Sequence, residues 1–240
     1  MVHRETITRR NLPHWFVPHA AHFVTYRLAG TIPLKVIHRL RDERTRAIAA
    51  IPDKSPGAFA RREIAHKRFF AAYDRYLDQN TRIDWFRRPE VAKIVRDNLY
   101  HHDGGKYRLL AYCVMPNHVH VLFLPLDDAG QPIERAAPGD LLAPLDSVIV
   151  SDEAGDAPSP LSGIMHSLKG YTAKECNRLL DRRGQFWQPE SYDHWCRDEA
   201  EIERIVEYIH WNPVRARLCR EPVEWTFSSA HDGLVKTWAV

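Results

Sequence analysis

Two short apolar runs around a Met-Pro-Asn tripeptide constrain the fold of this chain more than any other feature. Residues 107–114 and 118–124 are rich in β-branched, aromatic and aliphatic side chains, and the tripeptide at 115–117 separates them. Each run has the length and composition of a β-strand, and proline followed by asparagine favours a tight turn. The pattern predicts an antiparallel β-hairpin near the middle of the chain.

Helices are predicted on both sides of this hairpin. Before the hairpin, an extended stretch is predicted at 22–28 and helices at 33–50, 59–77 and 89–100. After it, a long helix is predicted at 161–180, an extended piece at 185–196 and a final helix at 199–211. Pro213 is predicted to stop the final helix. Because the strands come early and in the middle, with helices between and after them, we expect an α+β fold with a mostly antiparallel sheet rather than a parallel one.

The composition is that of a folded domain. Of the 240 residues, 44% are hydrophobic and 27% are charged, which excludes a disordered chain. The longest apolar runs are too short to cross a bilayer, and no apolar stretch follows the charges at the start. The four cysteines are scattered without a C-x-x-C pair, which indicates reduced thiols and a cytoplasmic location.

Charge is distributed unevenly along the chain. Residues 125–160 contain eight acidic side chains and one basic side chain, a net charge of −7, so the remainder carries +10 of the total of +3. A body of that charge suits a polyanionic partner, although an ordinary basic surface has the same composition. We expect a single domain over residues 1–240, with a helical insertion at about 33–82 and an acidic, flexible insertion at about 125–160.

A His-x-His pair opens the second strand of the predicted hairpin. His118 and His120 are two residues apart, so both imidazoles leave the same face of the strand, while Val119 and Val121 point to the other face. Two imidazoles on one rigid strand can bind one divalent metal ion. With 14 histidines in the chain, roughly one such pair is expected by chance, so the spacing alone has no value. The position after a Pro-Asn turn, at the expected rim of the sheet, favours a metal site over two structural histidines.

The final helix carries a tyrosine and an asparagine four residues apart. Ile202, Ile205 and Ile209 form an apolar stripe, and Tyr208 and Asn212 lie on one flank of it. Their side chains could therefore reach the same point above the sheet. The same spacing also fits a half-buried tyrosine with an asparagine that caps the helix, and Pro213 places Asn212 at a fraying end.

Three stretches in this order resemble the motifs of single-tyrosine HUH transposases, particularly the REP-associated tyrosine transposases. They are Met-Pro-Asn-His-Val-His at 115–120, Phe-Trp-Gln-Pro-Glu-Ser-Tyr-Asp-His at 186–194 and Tyr-Ile-His-Trp-Asn-Pro-Val-Arg-Ala at 208–216. Weaker similarities lie at 22–28, 168–173 and 225–230, so the resemblance covers nearly the whole chain. The acidic segment at 125–160 departs from it, since relatives pass quickly from strand to helix there.

This resemblance implies a ferredoxin-like HUH domain, in which His118, His120 and Asn212 bind a divalent metal ion, Mg²⁺ or Mn²⁺, and Tyr208 is the nucleophile. It implies metal-dependent cleavage and strand transfer of single-stranded DNA through a 5′-phosphotyrosine intermediate. The expected substrate is a DNA hairpin of a REP-like element, and the expected process is DNA transposition and recombination. Mn²⁺ tolerates imidazole ligands better than Mg²⁺ does.

Candidate DNA contacts surround these motifs. Cationic side chains would pair with phosphates and two aromatic side chains would stack on unpaired bases. They are Lys169, Lys174, Arg178, Arg182, Arg183, Arg197, Arg215, Arg217, Trp187 and Tyr192. Each of them alone also fits a solvated charge or a core aromatic residue. Tyr192 is the rival nucleophile, but it has no metal-binding residue four positions later.

Two other functions remain open. One is a non-catalytic, domesticated protein that binds DNA hairpins, against which the intact His118, His120, Tyr208 and Asn212 argue. The other is a metallohydrolase of the amidohydrolase type, but that barrel needs eight β/α units and a longer chain. The oligomeric state, monomer or dimer, stays open.

Overall fold

The computed structural model describes residues 6–9, 13–52, 55–80, 82–133 and 159–234. Strands β1 (Thr6–Arg9) and β2 (Pro13–Phe16) form a separate two-stranded antiparallel sheet. The central sheet contains β3 (His22–Arg27), β4 (Tyr107–Val114), β5 (His118–Pro125) and β6 (Tyr192–Trp195). Its strand order is β4-β5-β3-β6, and every neighbouring pair is antiparallel.

Five α-helices accompany the sheet, within the described residues. They are α1 (Leu34–Ala49), α2 (Ala58–Gln79), α3 (Pro89–His101), α4 (Pro160–Leu179) and α5 (Glu199–Arg215). The central sheet with its helices has the order strand, helices, strand, strand, helix, strand, and β3 lies between β5 and β6. This is the connectivity of a ferredoxin-like α+β domain. The α+β prediction with an antiparallel sheet is therefore confirmed, and so is the central hairpin.

The two faces of the sheet are covered by different helices. Val119, Val121 and Phe123 of β5 point to the face where α3 and α4 pack, and they belong to the largest hydrophobic core. Successive side chains of a strand alternate between faces. The residues between these three therefore face α5, with Ile209 of α5 and Leu122 of β5 in the second core.

Helix α2 lies over the same face as α5. Phe69, Tyr73 and Leu77 of α2 pack against α1 in a third cluster. Arg27 of β3 is 1% exposed, and its Nε donates a hydrogen bond of 2.7 Å to the Tyr73 hydroxyl oxygen. A buried guanidinium is costly unless its donors are used, so this contact holds α2 at one position over the sheet.

Helix α5 continues through Pro213, so the prediction that Pro213 ends it is wrong. Proline removes one donor, yet the next turn is complete: Ala216 N donates to Asn212 O and Leu218 N donates to Pro213 O, each at 2.9 Å. Arg217, at a φ of 59°, ends the turn in the left-handed region. Asn212 and Pro213 are both buried, and this tertiary packing overrides the local preference of the residue before a proline.

The segment after α5 runs along the outer edge of β4. Val114 N donates to Phe227 O at 2.8 Å, and Ser229 N donates to Tyr112 O at 2.9 Å. The Trp225 indole Nε1 also donates to Val114 O at 3.0 Å. Backbone groups of β4 that face away from β5 are thereby hydrogen-bonded.

The two predicted insertions differ in how much of them is described. Residues 134–158 of the acidic segment lie outside the described residues, and 125–133 form a turn in which Asp127 N donates to Gln131 O. The single-domain organisation with insertions at 33–82 and 125–160 stays a prediction. Among the described residues, no helix is both long and apolar enough to span a membrane.

The N-terminus of α5 depends on Glu201, which is buried. Its Oε1 lies 3.0 Å from His194 Nε2 of β6, and its Oε2 accepts a hydrogen bond of 3.1 Å from Arg197 N. Burial alone would raise the pKa of Glu201, but the hydrogen bonds from His194 and from Arg197 N lower it to about 2. Glu201 therefore couples the start of α5 to the edge of the sheet.

Replacing Glu201 with glutamine should make stability less dependent on acidic pH. A carboxyl group whose pKa is lowered by folding stabilises the folded state above its ordinary pKa of 4.5, and this stabilisation is lost as pH falls towards about 2. We expect Glu201→Gln to lower the free energy of unfolding at pH 6 and to have little effect near pH 2. Urea titrations of both proteins across this range measure the difference, and a constant difference would contradict the assignment.

Candidate functional site

Both histidines of the His-x-His pair face α2 and α5, but they are not at an open rim. His118 is 1% exposed and His120 is 0% exposed. His118 is the first residue of β5, as predicted, but helix α2 covers the face of the sheet on which both histidines lie, so their side chains are buried. The prediction that the two imidazoles share one face is confirmed, since their Nε2 atoms are 3.0 Å apart.

Polar neighbours orient each imidazole through its Nδ1. Asn117 donates from Nδ2 to Leu77 O at 2.8 Å and to Asn80 O at 2.7 Å, so its amide nitrogen is fixed. Its Oδ1 lies 2.6 Å from His118 Nδ1 and must accept, which leaves the lone pair of His118 on Nε2. His120 Nδ1 lies 2.8 Å from Thr25 Oγ1. Both rings thus turn Nε2 towards the same point.

Burial keeps His118 neutral. Removal from water, reinforced by the neighbouring His120, lowers the pKa of His118 to about 3, although the carboxylate of Asp74 acts in the opposite direction. The neutral imidazole with a free Nε2 lone pair is the form that binds metal ions.

Tyr208 of α5 lies beside His120, and Asn212 of the same helix contacts Tyr208. Asn212 is 2% exposed, and its Nδ2 donates a hydrogen bond of 3.2 Å to the Tyr208 hydroxyl oxygen. The Tyr208 ring lies 5.5 Å from the ring of His120, and the Arg215 guanidinium lies 5.5 Å from the Tyr208 ring centre. The structure therefore brings together the phenol, the amide and the two imidazoles that the sequence singled out.

Asp74 of α2 completes this group, and sequence reasoning missed it. Its Oδ2 accepts a hydrogen bond from the Tyr208 hydroxyl, and its Oδ1 lies 3.4 Å from His120 Nε2 and 3.9 Å from His118 Nε2. One donor atom from each of Asp74, His118 and His120 lies within 4.8 Å of the others. In the described part of the chain, no other group of three His, Cys, Asp or Glu side chains is arranged in this way.

The available signal for Asp74 was weak. It is an acidic residue next to the buried positions Tyr73 and Leu77, in a helix that the sequence shows to be rich in basic and aromatic residues. Its partners are more than forty residues away in the chain, and spacing within the helix does not identify them.

The Asp74 and Tyr208 side chains shift each other's pKa. Burial works to raise the pKa of Asp74, but His120, His118 and the Tyr208 hydroxyl lower it overall, so the carboxyl is ionised. Burial and the charge of Asp74 raise the pKa of Tyr208 well above its ordinary value. The phenol is therefore protonated and donates to a carboxylate.

Six of the predicted DNA contacts are exposed cations, namely Lys174, Arg178, Arg183, Arg197, Arg215 and Arg217. Arg178 pairs with Glu175 at 2.9 Å with its side chain 74% exposed, and the Arg197 guanidinium lies 5.9 Å from the Trp195 ring. Surface ion pairs of this kind are weak, so a phosphate could replace the partner. Of the six, Arg215 is in contact with Tyr208.

The other four predicted DNA contacts, Lys169, Arg182, Trp187 and Tyr192, are in contact with other groups of the protein. Lys169 Nζ donates to Gln188 O and Pro189 O, and burial lowers the pKa of Lys169 to about 8. Arg182 donates to Asn177 Oδ1 at 2.7 Å. Trp187 is 5% exposed and its Nε1 donates to Thr172 Oγ1, while the Tyr192 ring stacks on Phe70 at 4.3 Å. Direct DNA contacts by these four residues stay predictions.

Removing the Asn117 side chain should destabilise the protein without a change of fold. Asn117→Ala removes the amide that donates to Leu77 O and Asn80 O at the C-terminal end of α2, and it leaves the buried Nδ1 of His118 without its partner. Leu77 O keeps the Asn80 N–H as a donor, and each buried polar group that loses its partner costs about 1–3 kcal/mol. We expect a loss of about 3 kcal/mol in the free energy of unfolding, measured by urea titration. Asn177→Ala, which removes a hydrogen bond of 2.9 Å to Gly184 O nearer the surface, is the control and should cost less.

Comparisons with known proteins agree with the motifs. No protein-family model matches the chain. A Haemophilus influenzae protein, provisionally named a REP-associated tyrosine transposase, is 24% identical over 131 residues, which is 52% of this chain. The chain spans 60% of the length of that relative.

A solved structure also aligns with the chain. It is a REP-associated tyrosine transposase bound to a REP hairpin, with 16% identity over 95% of this chain and 89% of the other, at a TM-score of 0.44. Such a score establishes no shared fold by itself. The sequence relative confirms the similarity of this chain to the REP-associated tyrosine transposases, which its motifs predict.

Proposed function

We propose that this protein cuts and rejoins single-stranded DNA near hairpins, as a single-tyrosine HUH transposase does. The observation that carries the proposal is the convergence of Tyr208, Asn212 and the Nε2 atoms of His118 and His120 in one cluster. Spacing and resemblance predicted these four residues, which come from β5 and α5, and His120 and Tyr208 are 88 residues apart in the chain. The Haemophilus influenzae relative, which is provisionally named a REP-associated tyrosine transposase, supports the same class of protein.

The donor set fits a divalent metal ion. His118 and His120 present Nε2 atoms 3.0 Å apart, a separation that one shared proton or one shared ion can satisfy. Asn212 Oδ1 and Asp74 Oδ1 are buried and have no hydrogen-bond partner. Buried oxygens of this kind are rare unless something else satisfies them. In the proposed site, His118, His120 and Asn212 hold Mg²⁺ or Mn²⁺, and mixed imidazole and oxygen ligands favour Mn²⁺.

The chemistry follows from the positions of the side chains. A bound divalent ion would polarise the phosphodiester and stabilise its developing charge, worth several kcal/mol. The Tyr208 oxygen forms a bond to the phosphorus, which stays on the 5′ end of the downstream strand, and the bond from phosphorus to the departing O3′ of the upstream strand is cleaved. The departing oxygen takes up a proton to give a 3′-hydroxyl, and the tyrosine keeps the phosphate as a diester. A second 3′-hydroxyl can therefore reverse the step without another energy source.

Deprotonation of Tyr208 needs an acceptor. Its pKa is raised by burial and by Asp74, so the phenol is not ionised on its own. Asp74 Oδ2 already accepts the hydrogen bond of this hydroxyl. Asp74 Oδ2 is thus positioned to accept the proton that the Tyr208 hydroxyl must lose. Arg215, beside the Tyr208 ring, is positioned to pair with the attacked phosphate.

DNA needs access that the described conformation does not offer. His118, His120 and Asn212 are all at most 2% exposed, with α2 above them. This covered state also favours the alternative function, a protein that binds DNA hairpins without cutting them, because binding at the surface cations needs no opening.

Replacing Tyr208 with phenylalanine should abolish the covalent adduct and leave DNA binding largely intact. The full chain is mixed with Mn²⁺ and labelled single strands that carry the hairpins flanking its gene, and denaturing gels report the adduct. We expect at least about a 10³-fold loss of cleavage, since no other group replaces a nucleophile efficiently. Binding is measured separately by gel shift.

Tyr192→Phe is the matched control, because Tyr192 is a second half-buried tyrosine in contact with Phe70, as Tyr208 is. It should retain adduct formation. An adduct that persists in Tyr208→Phe and disappears in Tyr192→Phe would assign the nucleophile to Tyr192. Cleavage without any adduct would identify water as the nucleophile, and binding without cleavage by the parent protein would establish the non-catalytic alternative.

A further inference from the structure

Asp74 stands apart from the other site residues because α2 supplies it. The sequence predicts residues 33–82 to be an insertion in the domain, and Asp74 lies near the C-terminal end of α2, above the sheet. It is 7% exposed. One of its oxygens accepts from Tyr208, and the other, Oδ1, is fully buried and has no hydrogen-bond partner.

We propose that Asp74 is a further ligand of the divalent ion, so that the site consists of two imidazoles, one carboxylate and one amide oxygen. The proposal rests on the metal site of the proposed function and adds a residue to it. Two ligand atoms at about 2.1 Å from one ion are roughly 3–3.4 Å apart at octahedral or tetrahedral angles. Asp74 Oδ1 is 3.4 Å from His120 Nε2, and the two Nε2 atoms are 3.0 Å apart. A shift of a few tenths of an ångström brings His118 Nε2, at 3.9 Å, into the same range.

The charges of the site favour this role. The buried Asp74 Oδ1 has only the long contact of 3.4 Å to His120 Nε2. A carboxylate oxygen that is removed from water with so weak a contact is costly, and a cation at the same point would lower that cost. Without Asp74, the ion would have only neutral ligands from the protein. With Asp74, the site gains one negative charge and a hard oxygen ligand, which Mg²⁺ and Mn²⁺ both prefer.

The arrangement also gives α2 a function. The same carboxylate would contact the ion through Oδ1 and the Tyr208 hydroxyl through Oδ2. Binding of the ion then joins three elements: β5 through the histidines, α5 through Asn212 and α2 through Asp74. The insertion becomes part of the active site rather than an addition to its surface.

A simpler role would be a charge partner that occupies the site when no ion is bound. In that case Asp74 competes with the ion, and its removal strengthens metal binding or leaves it unchanged. The two roles therefore differ in the sign of one measurable quantity, the affinity for metal in the absence of DNA.

The test is calorimetric titration of Mn²⁺ into the full-length protein without DNA. Asp74→Asn, nearly identical in shape, should weaken Mn²⁺ binding by at least about 10-fold, because even groups that only support a ligand are worth about 10–100-fold. His120→Ala should abolish binding. Asp78→Asn is the control, since Asp78 lies one turn further along α2, partly exposed, and is not one of the three side chains whose donor atoms converge. Partial burial and the charge of Asp74 raise the pKa of Asp78 to about 7, so titrations are run at about pH 8.

Unfolding temperatures are measured with and without Mn²⁺ to distinguish weak metal binding from a folding defect. A folded variant that binds Mn²⁺ is stabilised by it, and the stabilisation grows with the affinity of the variant for the ion. Asp74→Glu, which keeps the carboxylate, should recover part of the lost affinity if Asp74→Asn folds poorly. Unchanged or tighter binding by Asp74→Asn overturns the proposal, and so does an equal loss in Asp78→Asn, which would show a general charge effect.

Failure of this inference is distinguishable from failure of the proposed function. If His120→Ala loses Mn²⁺ and Asp74→Asn does not, the histidine site stands without Asp74. If all variants follow the expected pattern but no DNA adduct forms, the carboxylate is a ligand and the strand-transfer proposal fails. Absence of Mn²⁺ binding by the parent protein overturns both.

Discussion

The site depends on the antiparallel pairing of β5 with β3. This register places His120 opposite Thr25 and His118 opposite Arg27. Thr25 Oγ1 is thereby 2.8 Å from His120 Nδ1, and Arg27 is in position to hold α2 through the Tyr73 hydroxyl. One strand pair therefore orients an imidazole and also fixes the helix that covers it. A shift of one residue in this register would turn both histidines towards the hydrophobic core and the valines towards the site.

Local patterns predicted the elements of the fold well. The hairpin of β4 and β5, the helix α3 that begins at Pro89, and the apolar stripe of α5 all follow from short-range periodicity. The same patterns placed the two histidines on one face of a strand and Tyr208 beside Asn212. Where packing determined the outcome, local patterns failed: Pro213 lies within α5 because Asn212 and its neighbour are buried.

Long-range packing also explains what the sequence did not reveal about the site. Asp74 meets Tyr208 across 134 residues of chain, and Asn117 meets the C-terminal end of α2 across about forty. Neither contact has a signature in the spacing of residues. The burial of the histidines follows from the position of α2, so a correct strand assignment still gave them the wrong exposure. The site residues proposed from resemblance are adjacent in space, and Asp74, which connects them to α2, has no comparable signature in the sequence.

The segment that follows α5 protects the protein against self-association through the edge of its sheet. β4 is the last strand on its side of the sheet, and an uncovered edge strand offers its amides and carbonyls to any other extended chain. Phe227 and Ser229 use the outward groups of Val114 and Tyr112, and the Trp225 indole takes a further one. These residues act as a partial extra strand that closes the edge. A form of the protein cleaved before Trp225 would therefore keep its helices and the proposed metal ligands. It would expose the edge of β4, where strands of separate molecules could pair.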